Sequence, residues 1–336
     1  MCPNSFSSPD HVINESLELL YGSPEDAIEG TNRVLSLLGR EPHDTLESIV
    51  QNHQLMSALA RLLGDDSNQP IELIFSLGKL FLSLTLIEDF HQILSSHRVG
   101  ALTLGLVELE VKRARHRVST LPTADSAGSS NCFVDLTSRS SHLFSKKQER
   151  ILFVFLSILD NLADDPAVLK KMTKKSLVGL LIQLIHQKSP ENLYVSVSIL
   201  NKISVLVETP SDLSRAGCGA ISRLAHLLSV PQNALVHEAL IALFNTSFHL
   251  ECFNLISAEK IHLQLMALVK KNSLRSASLK LIYRLTLRDE NRQKFQEAKI
   301  TPYLLKLLLS VSANEELDKA VAGILLNVSV SHSLCY

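Results

Sequence analysis

Ile158-Leu159-Asp160-Asn161-Leu162-Ala163 sets a pattern that returns four times further along the chain. Two adjacent apolar residues and a spacer precede a polar residue. One more residue follows, and then Ala, Ser or Thr. The pattern recurs as Ile199-Leu200-Asn201-Lys202-Ile203-Ser204 and as Ala242-Leu243-Phe244-Asn245-Thr246-Ser247. It returns again as Leu281-Ile282-Tyr283-Arg284-Leu285-Thr286 and Ile324-Leu325-Leu326-Asn327-Val328-Ser329. The polar position falls at 161, 202, 245, 284 and 327, in steps of 41, 43, 39 and 43 residues. A helical sequence with a period near 40 residues is the signature of a solenoid, in which each unit buries its apolar face against the next.

The stretch within one period identifies the kind of solenoid. Asp165–Thr173 reads as a short first helix, opened by Asp165-Pro166. Lys175–Gln187, with Leu177, Leu180, Leu181, Leu184 and Ile185, is amphipathic at helical spacing. Pro190–Val207 is a third helix with the recurrent phrase near its end. A short helix followed by two long ones is the armadillo order, whereas a HEAT repeat has two helices. The expected fold is therefore all-α, an armadillo-type right-handed superhelix of three-helix repeats. Helix starts are marked where a capping side chain precedes proline, at Ser23-Pro24, Asp165-Pro166, Ser189-Pro190, Thr209-Pro210 and Thr301-Pro302. Asp289-Glu290-Asn291 marks another.

Composition agrees with this reading. Of 336 residues 46% are hydrophobic, only 5% are aromatic and none is Trp, so the core is aliphatic. Net charge is −1, which argues against a nucleic-acid footprint, because that footprint must be basic. Cys2, Cys132, Cys218, Cys252 and Cys335 are scattered and form no C-x-x-C pair, which points away from a disulfide framework or zinc site and toward the cytoplasm. The N-terminus lacks the basic-then-apolar order of a secretory signal. The richest apolar window, Ile71–Ile87, carries Glu72 and Lys79 and reads as a core helix, with no membrane span.

Residues 1–13 read as a disordered N-terminus and 14–117 as the first armadillo-like repeats. The Ser/Thr-rich stretch 118–145 reads as a loop inserted between repeats, and 146–336 as further repeats of one continuous solenoid. Leu37-Leu38-Gly39 and Ser83-Leu84-Thr85 occupy equivalent places in the early repeats. The last phrase ends a few residues before Tyr336, and no polar helix follows to cover its apolar face. Self-association through that uncapped end is expected.

Several phrases carry a family likeness. Asp44-Thr45-Leu46-Glu47-Ser48-Ile49-Val50 is followed by Met56-Ser57-Ala58-Leu59-Ala60-Arg61-Leu62-Leu63 and by Asp89-Phe90-His91-Gln92-Ile93-Leu94. Val99-Gly100-Ala101-Leu102 then runs into Glu108-Leu109-Glu110-Val111-Lys112-Arg113. With Leu17-Glu18-Leu19-Leu20-Tyr21 before them, and Lys147-Gln148-Glu149-Arg150-Ile151-Leu152 leading to Asn161-Leu162-Ala163-Asp164-Asp165 after them, their order resembles the kinesin-associated protein family. That family supplies the non-motor accessory subunit of heterotrimeric kinesin-II. The likeness runs from about residue 15 to 330. The family pattern also has an N-terminal extension, further C-terminal repeats with a tail, and a longer, charged insertion after the position of Arg117.

The resemblance implies a non-catalytic adaptor that binds kinesin-II motor subunits and cargo adaptors. It also implies a cytoplasmic, cytoskeleton-associated location, in a cilium or flagellum. A general armadillo scaffold without kinesin binding is the alternative. No cofactor is implied.

Two surfaces are candidates for partner contact. In armadillo proteins such as importin alpha, a polar residue at this place on the third helix bonds an extended peptide backbone. Asn161, Lys202, Asn245, Arg284 and Asn327 form the corresponding ladder here; the bland reading is that they cap or solvate helix ends. Importin-like sites place Trp one turn earlier to sandwich basic side chains. Here Ser157, Ser198, Ile241, Lys280 and Gly323 stand there, which argues against nuclear-signal binding. The second candidate is the basic run Lys112, Arg113, Arg115 and Arg117, with Lys146-Lys147, Lys170-Lys171 and Lys174-Lys175, as a patch for an acidic segment; its bland reading is a solvated helix end.

Catalytic patterns fail on inspection. His237-Glu238 begins an H-E-x-x-H motif, but Ile241 occupies the second His position. Gly217-Cys218-Gly219 follows no strand, so it is no phosphate loop. Cys218 has no His placed to activate it. Asn245-Thr246-Ser247 and Asn327-Val328-Ser329 match the glycosylation acceptor but belong to the helical phrase.

Overall fold

The computed structural model describes residues 9–38, 43–65, 69–119, 146–174, 177–187, 189–206, 212–214, 219–309 and 315–330. At residues 9–10, 43–45, 115–119 and 315–317 it describes the backbone alone. Among the described residues every regular element is helical. The chain divides into two compact units, residues 1–180 with 186–195, and residues 181–185 with 196–336.

The first unit begins with α1 (Pro9–Leu19) and α2 (Pro24–Leu38). Then come α3 (His43–Gln51), α4 (His53–Gly64) and α5 (Ile71–Thr85). A 3-10 turn at Glu88–Phe90 leads into α6 (His91–Ser96), α7 (Val99–Ser119) and α8 (Lys146–Leu162). α9 (Pro166–Thr173) closes the run that lies wholly in this unit. The unit boundary passes through α10 (Leu177–Leu184) and α11 (Pro190–Ile203). The second unit continues with α12 (Ala220–Leu227), α13 (Asn233–Thr246), α14 (Leu250–Ala258), α15 (His262–Leu268) and α16 (Asn272–Leu285). It ends with α17 (Asp289–Glu297), α18 (Ile300–Leu309) and α19 (Glu315–Val330).

The three-helix order recurs as α3–α4–α5, α6–α7–α8, α9–α10–α11, α14–α15–α16 and α17–α18–α19. Third helices are uniform, 14 to 17 residues long, because each carries the recurrent phrase. They stack on one another. In the first unit α5 packs between α2 and α8, and in the second α16 packs between α13 and α19. Apolar residues of the phrases form the seam. Ile158, Leu159, Ile199, Leu200, Leu243, Leu281 and Ile282 are fully buried. Each such side chain contributes about 1.5–3 kcal/mol of burial. Tight approach is visible at Gly78 of α5, where a Cβ would stand 2.9 Å from Val154 and 3.1 Å from Phe155 of α8.

Two of the expected caps form where proline opens a helix. Ser23 and Asp26 cap α2 reciprocally: Ser23 N donates to Asp26 Oδ2 (2.9 Å) and Asp26 N to Ser23 Oγ (3.2 Å). At α9, Asp165 Oδ1 accepts from the amides of Ala167 (2.7 Å) and Val168 (3.2 Å), and Gln92 Nε2 donates to the same carboxylate. Partial burial would raise the pKa of Asp165, but these donors outweigh it and hold the carboxyl below its ordinary value.

Other expectations shift. Helix begins at Pro9 rather than Asn14, so the part of 1–13 that is described is not irregular. The second helix ends at Leu184 rather than Gln187, and the third ends at Ile203 rather than Val207. Thr301-Pro302 does not open α18, which starts at Ile300; Pro302 sits inside the first turn, where its missing N–H costs nothing. Thr209-Pro210 lies outside the described residues. The insertion also changes place. Helix α7 runs to Ser119 and α8 starts at Lys146, so the intervening segment joins the second and third helices of one repeat and does not separate two repeats. Residues 120–145 themselves lie outside the described residues.

Candidate functional site

All five ladder residues are half-buried near the ends of third helices. In the first unit Asn161 Nδ2 donates to Thr85 Oγ1 (3.1 Å), joining α8 to the end of α5. In the second unit Asn245 Nδ2 donates to Ser204 Oγ (2.9 Å) and to Asn201 Oδ1 (3.3 Å). Arg284 Nη2 donates to the Ser247 carbonyl (2.9 Å), and its Nε to Ser247 Oγ (3.3 Å). Asn327 Nδ2 donates to Thr286 Oγ1 (3.1 Å).

One rule covers these bonds. The polar residue of a phrase reaches back to the small hydroxyl residue that ends the phrase before it. The hydroxyls are fixed in turn by their own helices: Ser204 Oγ donates to Asn201 O, Ser247 Oγ to Phe244 O (2.6 Å), and Thr286 Oγ1 to Tyr283 O (2.9 Å). Each of these hydroxyl bonds stays within the last turn of its own helix, where Asn201 O and Phe244 O also accept from the Ser204 and Ser247 amides. Lys202 differs in type, and the phrase before it ends in Ala163, which has no hydroxyl to offer. Asn201, beside it, donates to Glu238 Oε2 (2.8 Å), and His237 Nδ1 lies 3.5 Å from Glu238 Oε1.

Aromatic rings surround the Arg284 member. Its guanidinium lies 4.2 Å from the ring centre of Phe248 and 5.8 Å from that of Phe253. Arg288 lies 4.7 Å from the Phe253 ring. Phe244 meets Phe248 edge to face at 5.3 Å. Phe248 is 63% exposed. Sequence reasoning did not single out Phe248, Phe253 or Arg288. Phe248 and Arg288 lie just past the recurrent phrase, and stacking between residues about 35 positions apart in sequence leaves no local signal.

The basic run is less coherent. Lys112 is exposed. Arg113 Nη1 pairs with Glu110 Oε1 at 2.7 Å, and Glu110 Oε2 accepts from Gln148 Nε2 (2.9 Å). A neighbouring carboxylate thus offsets part of the positive charge. The side chains of Arg115 and Arg117, and all of Lys175, lie outside the described residues. Lys171 Nζ donates to Ser95 Oγ (3.1 Å).

Among the described residues no group of three or more His, Cys, Asp or Glu side chains is placed to hold a metal ion. None of their helices is long and apolar enough to cross a membrane. Cys252 is buried and is not part of a disulfide, and Cys218 lies outside the described residues.

The sequence profile of the Kinesin-associated protein (KAP) family matches residues 8–334. The chain belongs to the kinesin-associated protein family. Its fold has relatives among solved structures of designed proteins. A designed armadillo repeat protein in complex with the peptide (KR)4 superposes with a TM-score of 0.57 at 18% identity, over 81% of this chain and 99% of that one. An engineered protein gives a TM-score of 0.51 at 15% identity, over 96% and 91%. At such identities the likeness concerns the fold alone, and it fixes the class as an all-α armadillo-repeat solenoid. As a family member with this fold, the KAP-family chain is a scaffold for protein–protein interaction, and the stacked third helices are its most regular surface.

Proposed function

We propose that this chain is a non-catalytic adaptor of heterotrimeric kinesin-II. It binds the motor subunits and connects them to cargo adaptors in microtubule-based transport, within a cytoplasmic, cytoskeleton-associated setting such as a cilium or flagellum. The observation that carries this reading is the family match over residues 8–334. The third-helix residues Asn161 of the first unit and Lys202, Asn245, Arg284 and Asn327 of the second are the proposed partner contacts. The Asn amides each spend an N–H on the preceding repeat, so the carbonyl oxygen and, at Asn161 and Asn327, the second N–H are what they offer a partner. The run Lys112, Arg113, Arg115 and Arg117 is a second, acidic-partner contact, with Glu110 setting its strength at Arg113. Exposed leucines on α18 add a route to self-association.

Capture of purified kinesin-II motor tails by the immobilised full chain tests the reading. Saturable binding of the tails is the expected result. Absence of tail binding, with other proteins still retained, overturns the kinesin assignment and leaves the general armadillo scaffold.

A further inference from the structure

In the second unit one apolar residue follows each phrase, and each is exposed to solvent. Val205, Phe248, Leu287 and Val330 are 66%, 63%, 45% and 51% exposed. They directly follow Ser204, Ser247, Thr286 and Ser329. The bonds Asn245–Ser204, Arg284–Ser247 and Asn327–Thr286 join consecutive phrases at that end. The four residues therefore stand in one row, at the spacing of packed helices, about 10 Å. A single exposed apolar side chain is ordinary. Four in the same register, each forgoing about 1.5–3 kcal/mol of burial, form a contiguous strip of the kind that marks an interaction site.

Charge along the strip has one sign at its centre. Arg284 is held by the Ser247 carbonyl and the Phe248 ring, and Arg288 by the Phe253 ring. These partners are neutral, so neither guanidinium is offset by a carboxylate among the described ion pairs. Asp289, next in sequence to Arg288, pairs with Arg292, and Glu251 accepts from Ser214. Arg284 spends Nε and Nη2 on Ser247, which leaves its Nη1 for a carboxylate, while Arg288, set over the Phe253 ring, offers the guanidinium fork that matches one.

We propose that this row docks a segment of a protein partner in which carboxylate side chains alternate with apolar ones. The apolar side chains cover Val205, Phe248, Leu287 and Val330, and the carboxylates bond Arg284 and Arg288. The inference rests on the reading of the third-helix face as a partner surface, and it names the chemistry of what binds there.

The probe is a phage-displayed library of random peptides panned on the full chain, followed by titration of the enriched peptides in fluorescein-labelled form. Enriched peptides should combine Asp or Glu with Leu, Ile or Phe, and bind less tightly as salt rises. Arg288→Glu and Leu287→Ser should each weaken them by roughly tenfold. Leu263→Ser, at a residue 63% exposed and outside the row, should leave binding unchanged. Both row variants alter exposed or half-exposed side chains, and thermal unfolding checks that they remain folded. Enrichment of basic or neutral peptides, no enrichment at all, or equal binding by both row variants overturns the proposal. Motor tails that bind wild type and row variants equally overturn the row while sparing the kinesin assignment. Tails that fail to bind wild type, while acidic–apolar peptides bind it, do the reverse.

Discussion

Asn245 Nδ2 on α13 donates to Ser204 Oγ at the end of α11, across 2.9 Å and 41 residues of sequence. The same relation joins Arg284 to Ser247, Asn327 to Thr286 and, in the first unit, Asn161 to Thr85. Apolar side chains at the seam supply most of the attraction between third helices, but they slide easily. A directional bond at the same point of each repeat fixes which turn of one helix lies against which turn of the next.

Removing this bond should weaken the second unit by a modest, measurable amount. Asn245→Ala loses two partly buried hydrogen bonds, to Ser204 Oγ and to Asn201 Oδ1, together worth about 1–2 kcal/mol, while Ser204 Oγ keeps its bond to Asn201 O. Ser204→Ala should cost a similar amount. A double-mutant cycle by urea unfolding should show a coupling of about 0.5–1 kcal/mol. Strict additivity would mean that the contact does not hold the repeats in register.

The repeat period, the helical class and the caps at Ser23 and Asp165 were all legible in the sequence, because each is a local signal repeated or reinforced by proline. The ladder was legible as a row but not as a set of bonds. The phrase itself showed Ala, Ser or Thr at its last position, yet pairing that hydroxyl with the next repeat's Asn requires the stacking of the helices. The place of the insertion is not legible in the sequence for a related reason. Counting residues between phrases locates a surplus, but only the end of α7 at Ser119 and the start of α8 at Lys146 show that it falls inside a repeat. The Arg284–Phe248 stack joins side chains on different repeats and leaves no local pattern at all.

Gly78 is expected to resist substitution. Alanine in place of glycine inside an exposed helix normally gains about 1 kcal/mol. Here the added methyl would meet Val154 at 2.9 Å and Phe155 at 3.1 Å, and Phe155 is buried against α5. Overpacking of this kind costs about 1–3 kcal/mol, so Gly78→Ala should lower the unfolding midpoint. A raised midpoint would show that α8 can move away freely.

Stability should fall on mild acidification. Burial, and then the neighbouring His53 ring at 5.6 Å, lowers the pKa of His97 from the ordinary 6.5. Its buried Nε2 has no hydrogen-bond partner. The unfolded chain takes up a proton at a pH where the folded chain refuses it. The contribution of His97 is therefore complete above 6.5 and declines as pH drops from there toward its folded pKa. His97→Asn removes that proton uptake, so its melting temperature should fall less steeply over this window than that of the wild type. Parallel curves for the two proteins would contradict the assignment.

Helix α18 presents Leu305, Leu308 and Leu309 on one side, at i, i+3 and i+4 spacing, with exposures of 47%, 43% and 83%. Leu326 of α19, the helix packed on it, is 67% exposed. Water contact at several leucines forgoes about 1.5–3 kcal/mol for each, which favours covering them with a second surface. The isolated chain should therefore self-associate at micromolar concentration, with a sedimentation coefficient that rises with loading. Leu305→Lys combined with Leu309→Lys should abolish the concentration dependence without lowering the melting temperature, since both side chains already meet solvent. Wild type that sediments as a monomer and binds no apolar dye would show that α18 needs no cover. A double variant that still self-associates would place the contact on another surface of the chain.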